Sequence, residues 1–319
     1  METLHYKRYL LFSGLVALLL LTGVAALNYV IDPFNLIGNN SIGVYFVNER
    51  QSKNAILTYE HEAILIGSSK TGYVDPESLA CYKFYNASIR ALLPEEMYFY
   101  LKKYLRNEKL VLIGFDFYMF NEREFPLVQM DDWDTVGYKP AEYLLGYHTL
   151  KSSLESIKKW KKKEVPADVL KANGQFIFPS VIQERSAEDL QKIEKKRKDI
   201  IKGLMRNHYG GFFFSRKRMD VLHKLKAFLE EKQIPYAVFI NPLHHDVIAS
   251  LQKLDAYELF ITWKQEMKTI FPDIYDYSIG HYSEDQWFYR EDPYHYTIPA
   301  GQSFLNEIIS HYCPKSSSP

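Results

Sequence analysis

Cysteine is scarce in this sequence, and the spacing of its two cysteines argues against a cysteine-rich metal site. Cys81 and Cys313 are the only cysteines in 319 residues, and neither lies in a CxxC or a mixed Cys/His zinc pattern. In an oxidising compartment the two thiols can pair and close a long loop, which would stabilise the fold by roughly 4 to 5 kcal/mol. Two free thiols fit the sequence equally well, so the pairing stays open at this point.

An excess of charge of either sign is also lacking. Lys and Arg together number 39, as do Asp and Glu. The chain therefore lacks the positive field that non-specific binding of nucleic acid requires, and we expect no nucleic-acid partner. Aromatic residues, in contrast, are abundant at 15%, with 25 Tyr and 20 Phe, which argues against a disordered chain and predicts a packed core.

Long hydrophobic runs are absent apart from one near the N-terminus. Residues 9–31 hold no charged side chain, and a helix of that length would be roughly 34 Å long, enough to cross a bilayer. Lys7 and Arg8 precede the run, so the positive-inside rule places residues 1–8 in the cytoplasm and the main domain outside. We therefore predict a single-pass anchor in membrane lipid, with the domain in the periplasm or at the cell surface. A cleaved signal peptide is the alternative, since small alanines lie near the end of the run.

Beyond residues 32–60, which we interpret as a polar stalk, short apolar runs alternate with helical patterns. Because such runs suit strands that are buried on both faces, they predict a parallel sheet. The five predicted strands are, in chain order, residues 63–66, 82–85, 110–117, 236–240 and 274–277. Strands that alternate with helices through right-handed crossovers predict an α/β domain over residues 61–319, with a three-layer doubly wound parallel five-stranded sheet.

The alternation of strands and helices stops between about residues 121 and 214. Two amphipathic helices take its place, and Ser186 with Asp189 forms an approximate capping box for the second helix. We interpret this segment as a helical insertion over the carboxyl edge of the sheet. Further on, the pattern predicts one helix over about residues 249–269 and a last helix over about residues 299–310.

Two short segments near the two ends of this domain have the composition of a hydrolase site. Ser69 follows the first strand within Gly67-Ser68-Ser69, at the sheet edge where ligands bind, and the next helix offers N–H groups to an oxyanion. Asp292 and His295 precede the last helix, and their spacing in a helical turn would let the carboxylate orient the imidazole. Either segment alone is also typical of an ordinary turn or cap, but together they predict a Ser-His-Asp triad.

With these motifs the sequence resembles the SGNH hydrolases, also called GDSL esterases, and in particular their membrane-anchored bacterial branch related to acylation of surface polysaccharide and teichoic acid. Gly67-Ser68-Ser69 is similar to the family's first block, with Ser68 where aspartate is usual, and Asp292 and His295 match the DxxH of the last block. The resemblance covers residues 62–312 apart from the insertion. It implies a flavodoxin-like fold of the SGNH type, with Ser69 as nucleophile, His295 as base and Asp292 as the acid of the triad.

Two further blocks of the family are altered here, and both concern the oxyanion hole. The second block normally provides a glycine N–H, whereas this chain has Asn86-Ala87-Ser88, in which Asn86 or Ser88 would donate instead. The third block normally places asparagine two residues after glycine, and here Asp116 follows Gly114 at that spacing. An ionised carboxylate repels an oxyanion, so Asp116 would serve only when protonated, and Asn121 is a candidate substitute donor.

These observations support two hypotheses from different classes. In the first, the chain is an extracytoplasmic serine esterase or O-acyltransferase that acts on acyl esters of a cell-surface glycan or polymer, without a cofactor or a metal. In the second, it is a catalytically inactive module that binds glycan or scaffolds a membrane acylation or export complex. Asp116 at the oxyanion position favours this second hypothesis. The resemblance implies a surface glycan or acylated polymer, and a membrane-bound O-acyltransferase complex, as partners.

Three other features have ordinary explanations as well as functional ones. His244-His245-Asp246 follows the fourth predicted strand and would suit a metal or a substrate, although adjacent histidines seldom ligate one ion. Lysine-rich runs at residues 158–163 and 195–198 would suit anionic glycans or lipid headgroups. We interpret the histidine motif as a plain loop and the two runs as solvated helix faces.

Overall fold

A computed structural model describes residues 2–164, 169–177 and 190–314. The predicted cap at Ser186 and Asp189 lies outside these residues. In chain order the α-helices are α1 (Glu2–Ile31), α2 (Glu49–Ser52), α3 (Ser69–Gly72), α4 (Pro94–Tyr104), α5 (Pro140–Leu145), α6 (Tyr147–Lys161), α7 (Leu190–Leu204), α8 (Arg216–Glu231), α9 (His245–Leu251), α10 (Ala256–Ile270) and α11 (Ile298–Ser310). The strands are β1 (Ala63–Ile66), β2 (Phe84–Asn86), β3 (Leu110–Phe115), β4 (Val169–Leu170), β5 (Phe176–Ile177), β6 (Tyr236–Ile240), β7 (Tyr275–Asp276), β8 (Phe288–Tyr289) and β9 (Asp292–Tyr296).

The chain divides into two compact units. The first comprises Met1–Ser52 and Val136–Val169, and the second comprises Lys53–Thr135 and Leu170–Pro319. The predicted helical insertion is therefore split, because its first long helix, α6, belongs to the unit that contains the N-terminus, whereas α7 belongs to the unit that contains the sheet.

The first unit is built around the apolar helix α1. Its stretch Tyr6–Ile31 is long and apolar enough to cross a membrane, and its most apolar window is not buried in the protein. Near its carboxyl end, the Asn28 side chain donates to the Leu144 carbonyl at 2.8 Å and accepts from the Ser153 hydroxyl at 2.8 Å. The end of α1 is thus hydrogen-bonded to the α5–α6 segment.

The predicted stalk begins with an ordered loop. The buried carboxylate of Asp32 accepts backbone N–H groups from four consecutive residues at 2.8 to 3.0 Å, namely Leu36, Ile37, Gly38 and Asn39. The hydroxyl of Tyr143 donates to the same carboxylate at 2.6 Å. These bonds give the charge a full set of donors, so the chain is folded back on itself immediately after α1.

The second unit contains a central sheet of five strands that are all parallel, in the order β2-β1-β3-β6-β7. Its register pairs Ala63 with both Phe84 and Leu110, and it pairs Val111 with Tyr236. The five predicted strands are confirmed as a parallel sheet, with ends that differ from the prediction by one or two residues.

The sequence forms these strands because their side chains are apolar on both faces. All four residues of β1 and all six of β3 are buried, as parallel strands covered on both sides require. One face packs against α11, where Phe304 and Ile308 contact a core that includes Leu65, Leu112 and Phe239.

One predicted helix differs from the structure. The predicted helix over residues 249–269 is two helices, α9 and α10, with turns between Gln252 and Asp255. The first helix ends at its C-cap, Gln252. Residues 252–255 have no buried apolar side chain, so no core contact holds a continuous helix there.

Candidate active site

The turn between β1 and α3 places two serines at the carboxyl edge of the sheet. Ser68 is the N-cap of α3, and its side chain accepts from the backbone N–H of Lys70 at 3.2 Å. A side chain at Gly67 would bring its Cβ within 2.4 Å of Thr71 Oγ1, so this sharp turn requires glycine. Ser69 is therefore the first residue of α3, and 8% of its surface is exposed.

Ser69, His295 and Asp292 form a continuous chain of hydrogen bonds. Ser69 Oγ lies 3.0 Å from His295 Nε2, across 226 positions of sequence. His295 Nδ1 lies 2.7 Å from Asp292 Oδ2. If Nδ1 carries the proton that Asp292 accepts, Nε2 is the basic nitrogen and can accept the proton of the serine hydroxyl. The structure thus brings together the three residues that the sequence predicts as a triad.

The backbone around the acidic residue differs from the prediction. The Asp292–His295 segment is not a helical turn but part of strand β9, which pairs in antiparallel fashion with β8. The side chain still reaches the imidazole, because Asp292 Oδ1 accepts the backbone N–H groups of Tyr294 at 2.9 Å and His295 at 3.3 Å. This local turn, closed by the carboxylate itself, replaces the predicted helical geometry.

The charge of Asp292 is stabilised in place. Burial alone would raise the pKa of this carboxyl, but the attraction and hydrogen bond of His295, with the backbone N–H groups of Tyr294 and His295, outweigh it. The net effect is a pKa below the usual value for aspartate. Asp292 is therefore ionised at neutral pH and holds the imidazole in one tautomer.

Asp116 has a different environment from the one that the oxyanion prediction assumes. Its carboxylate is buried, accepts from the Ser68 hydroxyl at 2.7 Å and from the Asn241 amide at 3.2 Å, and forms an ion pair with Lys70 at 3.0 Å. The carboxylate is thus surrounded by donors and a cation. These partners make Asp116 a structural anion that ties Ser68 and Lys70 to the end of β3.

Lys70 is a site residue that sequence reasoning missed. Only 1% of its surface is exposed, and its ammonium group lies 3.0 Å from Asp116, 3.3 Å from the Pro242 carbonyl and 4.8 Å from the centre of the Tyr294 ring. A single lysine after Gly-Ser-Ser gives no signal of burial, because its partners follow β3 and β6 or lie in β9. Asn241, which also contacts Asp116, has no local sequence signal either, because the two residues are 125 positions apart.

The two candidate donors of the second block have other partners. The Asn86 amide donates to the carbonyls of Thr71 at 2.9 Å and Val74 at 3.0 Å, which fixes the end of α3. The Ser88 N–H donates to Asn86 Oδ1 at 3.1 Å, and its hydroxyl lies 2.8 Å from that of Thr71. Both residues are fully buried and hold the nucleophile turn in place.

Asn121 is likewise committed to structure. Its amide nitrogen donates to the His208 carbonyl at 3.0 Å, and its oxygen accepts the N–H groups of Arg123 at 3.2 Å and Phe213 at 3.1 Å. It joins the end of β3 to the segment after α7. The N–H of Ser69 is a first-turn group of α3 and lacks an intrahelical acceptor.

An aromatic group with His208 at its centre lies beside the triad. The ring centre of His208 is 4.9 Å from Tyr118, 5.4 Å from Phe125 and 5.7 Å from Tyr294. Tyr294 makes an edge contact at 4.7 Å with His295. His208 has no local sequence signal, because these neighbours lie after β3 and in β9, far from it along the chain.

The charge state of His208 follows from this environment. Burial, and after it the positive charge of Lys70, lower its pKa to about 4, although Asp116 opposes the shift. Among the described residues no hydrogen-bond partner reaches His208 Nδ1. His208 is therefore a neutral imidazole at physiological pH.

The histidine motif after β6 holds together two elements of the second unit. Possible ligand atoms of His244, His245 and Asp246 lie within 4.8 Å of one another. The guanidinium of Arg197 in α7, however, lies 2.9 Å from Asp246 and 2.9 Å from Asp285, so a protein cation already neutralises these carboxylates. His244 caps α9 by accepting the Asp246 N–H at 3.1 Å, and His245 and Asp246 lie in the first turn of that helix. The motif is therefore a capped helix N-terminus and not the predicted plain loop.

No match is found when the chain is compared with models of known protein families, and none when it is compared with curated proteins. We therefore infer the function from the geometry of this chain and from its own motifs.

Proposed function

We propose that this chain is an SGNH-type serine esterase or O-acyltransferase that acts outside the cytoplasm on acyl esters of a cell-surface glycan or polymer. The single observation that carries the proposal is the hydrogen-bonded chain from Ser69 through His295 to Asp292. Serine, imidazole and carboxylate in this order are the parts that acyl transfer requires.

The proposed reaction has two halves, acylation and deacylation of Ser69, and the three residues of the triad act in both. Ser69 Oγ attacks the ester carbonyl while His295 Nε2 takes its proton, and the C–O bond to the alcohol breaks as that proton passes to the leaving oxygen. Water or a sugar hydroxyl then attacks the acyl-serine while His295 Nε2 takes its proton. The C–O bond to Ser69 Oγ breaks as that proton passes to Oγ, which releases the acid or the new ester and restores the serine hydroxyl. Asp292 stabilises the imidazolium in both halves, and the Ser69 N–H donates to the oxyanion.

The order of the sheet supports the SGNH type. Counted along the central sheet alone, the strands follow the order 2-1-3-4-5 of flavodoxin-like folds. The nucleophile follows the first of these strands, and the acid and base precede the last helix, α11. Fold alone does not identify an activity, so this order strengthens the proposal only together with the triad.

The proposed location follows from α1 and from the cysteines. We infer that α1 is a membrane anchor, with Lys7 and Arg8 on the cytoplasmic side and the domain outside. Cys81 and Cys313 form a disulfide in the structure, which fits an oxidising compartment. A surface glycan as substrate and a membrane-bound O-acyltransferase complex as partner are part of the same proposal.

A second candidate function is a non-catalytic module that binds glycan or scaffolds an acylation complex. The observation in its favour is that Asn86, Ser88 and Asn121 already have structural partners, and that Asp116 is paired with Lys70. An oxyanion would then find fewer donors than in the family pattern. This candidate retains the fold and the anchor but predicts no activated serine.

Hydrolysis of a small activated ester such as p-nitrophenyl acetate by the full chain in detergent tests the proposal. We expect Ser69→Ala to lower kcat/KM by about 10⁴-fold or more, and Asp292→Asn by a similar factor, because both break the triad. Ser310→Ala, which removes an exposed hydroxyl at the end of α11, is the matched control and should retain activity. A Ser69→Ala variant as active as the wild type would refute the proposal.

A further inference from the structure

The outward face of α6 combines lysines with apolar side chains. Tyr147, Lys151, Leu154, Lys158 and Lys161 are spaced so that they lie on one side of the helix, and we call this set the basic face. Tyr147 is 80% exposed and Leu154 is 55% exposed. The opposite side of α6 is buried through small polar residues, namely Thr149, Ser153 and Ser156.

The buried side of α6 is attached to the carboxyl end of α1. Ser153 donates to Asn28 at 2.8 Å, and Asn28 donates to the Leu144 carbonyl at 2.8 Å. One turn later, Asp32 accepts from the Tyr143 hydroxyl at 2.6 Å. Helix α6 is therefore held beside the last turn of the apolar helix.

The length of α1 indicates where the membrane surface would lie. The 26 residues of Tyr6–Ile31 span roughly 39 Å, which exceeds the roughly 30 Å of hydrocarbon in a bilayer. If Lys7 and Arg8 lie at one surface, about 20 residues of helix reach the other, which is near Asn28. This is the residue that contacts Ser153, so α6 lies at the depth of the headgroups.

The chemistry of α6 fits this depth. Beyond the basic face, Lys159, Lys162 and Lys163 add positive charge, and only Glu155 and Glu164 oppose it within residues 147–164. Tyr147 lies on the basic face itself, and tyrosine with lysine is a combination typical of a membrane interface. The apolar parts suit the acyl boundary, and the ammonium groups suit phosphate.

We propose that the basic face of α6 lies against the headgroups of an anionic bilayer, on the side where the carboxyl end of α1 emerges. The occupant is lipid and not glycan, because the face is continuous with the helix that crosses the bilayer and combines apolar side chains with positive charge. The proposal rests on the membrane anchor proposed above and is independent of the catalytic triad.

Hydrogen exchange of the full chain in lipid vesicles tests this proposal. One set of vesicles holds phosphatidylcholine alone, and the other also holds phosphatidylglycerol. We expect amide exchange over residues 147–161 to be slower by about fivefold with the anionic lipid. Lys158→Gln/Lys161→Gln/Lys162→Gln should abolish the difference.

The matched control is Lys195→Gln/Lys198→Gln/Lys202→Gln, which removes the same charge from exposed positions of α7. It should leave the lipid effect intact. Equal exchange in both lipids, or loss of the effect in the control, would overturn the proposal, as would equal protection by soluble dextran sulfate without anionic lipid. Flotation after an alkaline wash distinguishes failure of the anchor from failure of the role of α6. A chain that leaves the vesicles refutes both. A chain that floats with the vesicles but shows no lipid effect refutes only the role of α6.

Discussion

At the scale of single residues, Asp292 sets both the position and the tautomer of the proposed base. Its two oxygens have separate partners, since Oδ1 accepts backbone N–H groups and Oδ2 accepts from His295 Nδ1. The backbone bonds hold the carboxylate in one position, and its second oxygen then gives the imidazole one favoured orientation towards Ser69. The attraction and hydrogen bond of His295, with the smaller effect of these backbone bonds, keep the pKa of Asp292 low in spite of burial.

His208 allows a prediction about pH and stability. Its pKa is about 4 in the folded protein and close to 6.5 when unfolded, so between these values the unfolded chain binds more protons. The free energy of unfolding should therefore fall as pH falls from about 6.5 to 4, with up to about 3 kcal/mol from this residue. His208→Phe suits the aromatic surroundings and should reduce that fall.

Denaturant unfolding of wild type and His208→Phe at neutral pH and near pH 4.5 provides the measurement. His244, whose pKa burial also lowers, is present in both proteins and contributes equally to both curves. An identical pH dependence in the two proteins would show that His208 is not kept neutral by the fold.

At the scale of elements, the buried pair of Lys70 and Asp116 connects the ends of three strands with α3. Lys70 is the second residue of the helix after β1, Asp116 follows β3, and the Asn241 amide that contacts Asp116 follows β6. The hydroxyl of Ser68 contacts the same carboxylate. The pair therefore holds the nucleophile turn in its position on the sheet edge.

Removal of one partner from this pair should be costly. Lys70→Met leaves the carboxylate buried without its cation, and we expect the free energy of unfolding to fall by about 3 to 5 kcal/mol. Adding Asp116→Asn should recover at least about 1 kcal/mol, because neither charge is then unpaired. Denaturant unfolding of the two single variants and the double variant gives the coupling energy.

The control for this cycle is Lys198→Met, which breaks an exposed ion pair with Glu194 at 3.1 Å. It should change stability by less than about 1 kcal/mol, because solvent screens the pair. A Lys70→Met effect as small as the control, or strict additivity in the double variant, would contradict a structural role for the buried pair.

The same elements indicate what sequence can and cannot predict here. The strands of the sheet were predictable because β1, β3 and β6 are uninterrupted apolar runs, and their order then brings Ser69 near the segment before α11. The strand conformation of β9 was not predictable from the sequence, because it depends on pairing with β8 and on the bond that Asp292 accepts from the nearby backbone N–H of Tyr294. Lys70 meets Asp116 only through tertiary structure, and no local pattern marks such a contact.

At the scale of the whole molecule, one covalent link closes most of the chain into a loop. Cys81 and Cys313 are 232 positions apart, and their Cα atoms are 5.7 Å apart. Near this link the Tyr82 hydroxyl donates to the Tyr312 carbonyl at 2.7 Å. The end of α11 is thereby attached to the segment before β2, so the last helix is held on the sheet.

We expect Cys81→Ser/Cys313→Ser to lower the free energy of unfolding by about 2 to 5 kcal/mol, since the cross-link restricts the unfolded chain. Denaturant unfolding with and without dithiothreitol checks this. Reductant should destabilise the wild type and leave the double variant unchanged. Two titratable thiols in the untreated wild type would contradict the disulfide and remove one argument for an oxidising compartment.

Reaction of the full chain with a fluorophosphonate probe, followed by peptide mass spectrometry, tests whether Ser69 is an activated nucleophile. An activated serine forms a covalent phosphonyl adduct, whereas ordinary serines do not. We expect one adduct, on Ser69, that disappears in Ser69→Ala and is strongly reduced in folded His295→Asn. A wild-type protein without an adduct on Ser69, or with equal labelling in His295→Asn, would rule out Ser69 as an activated nucleophile.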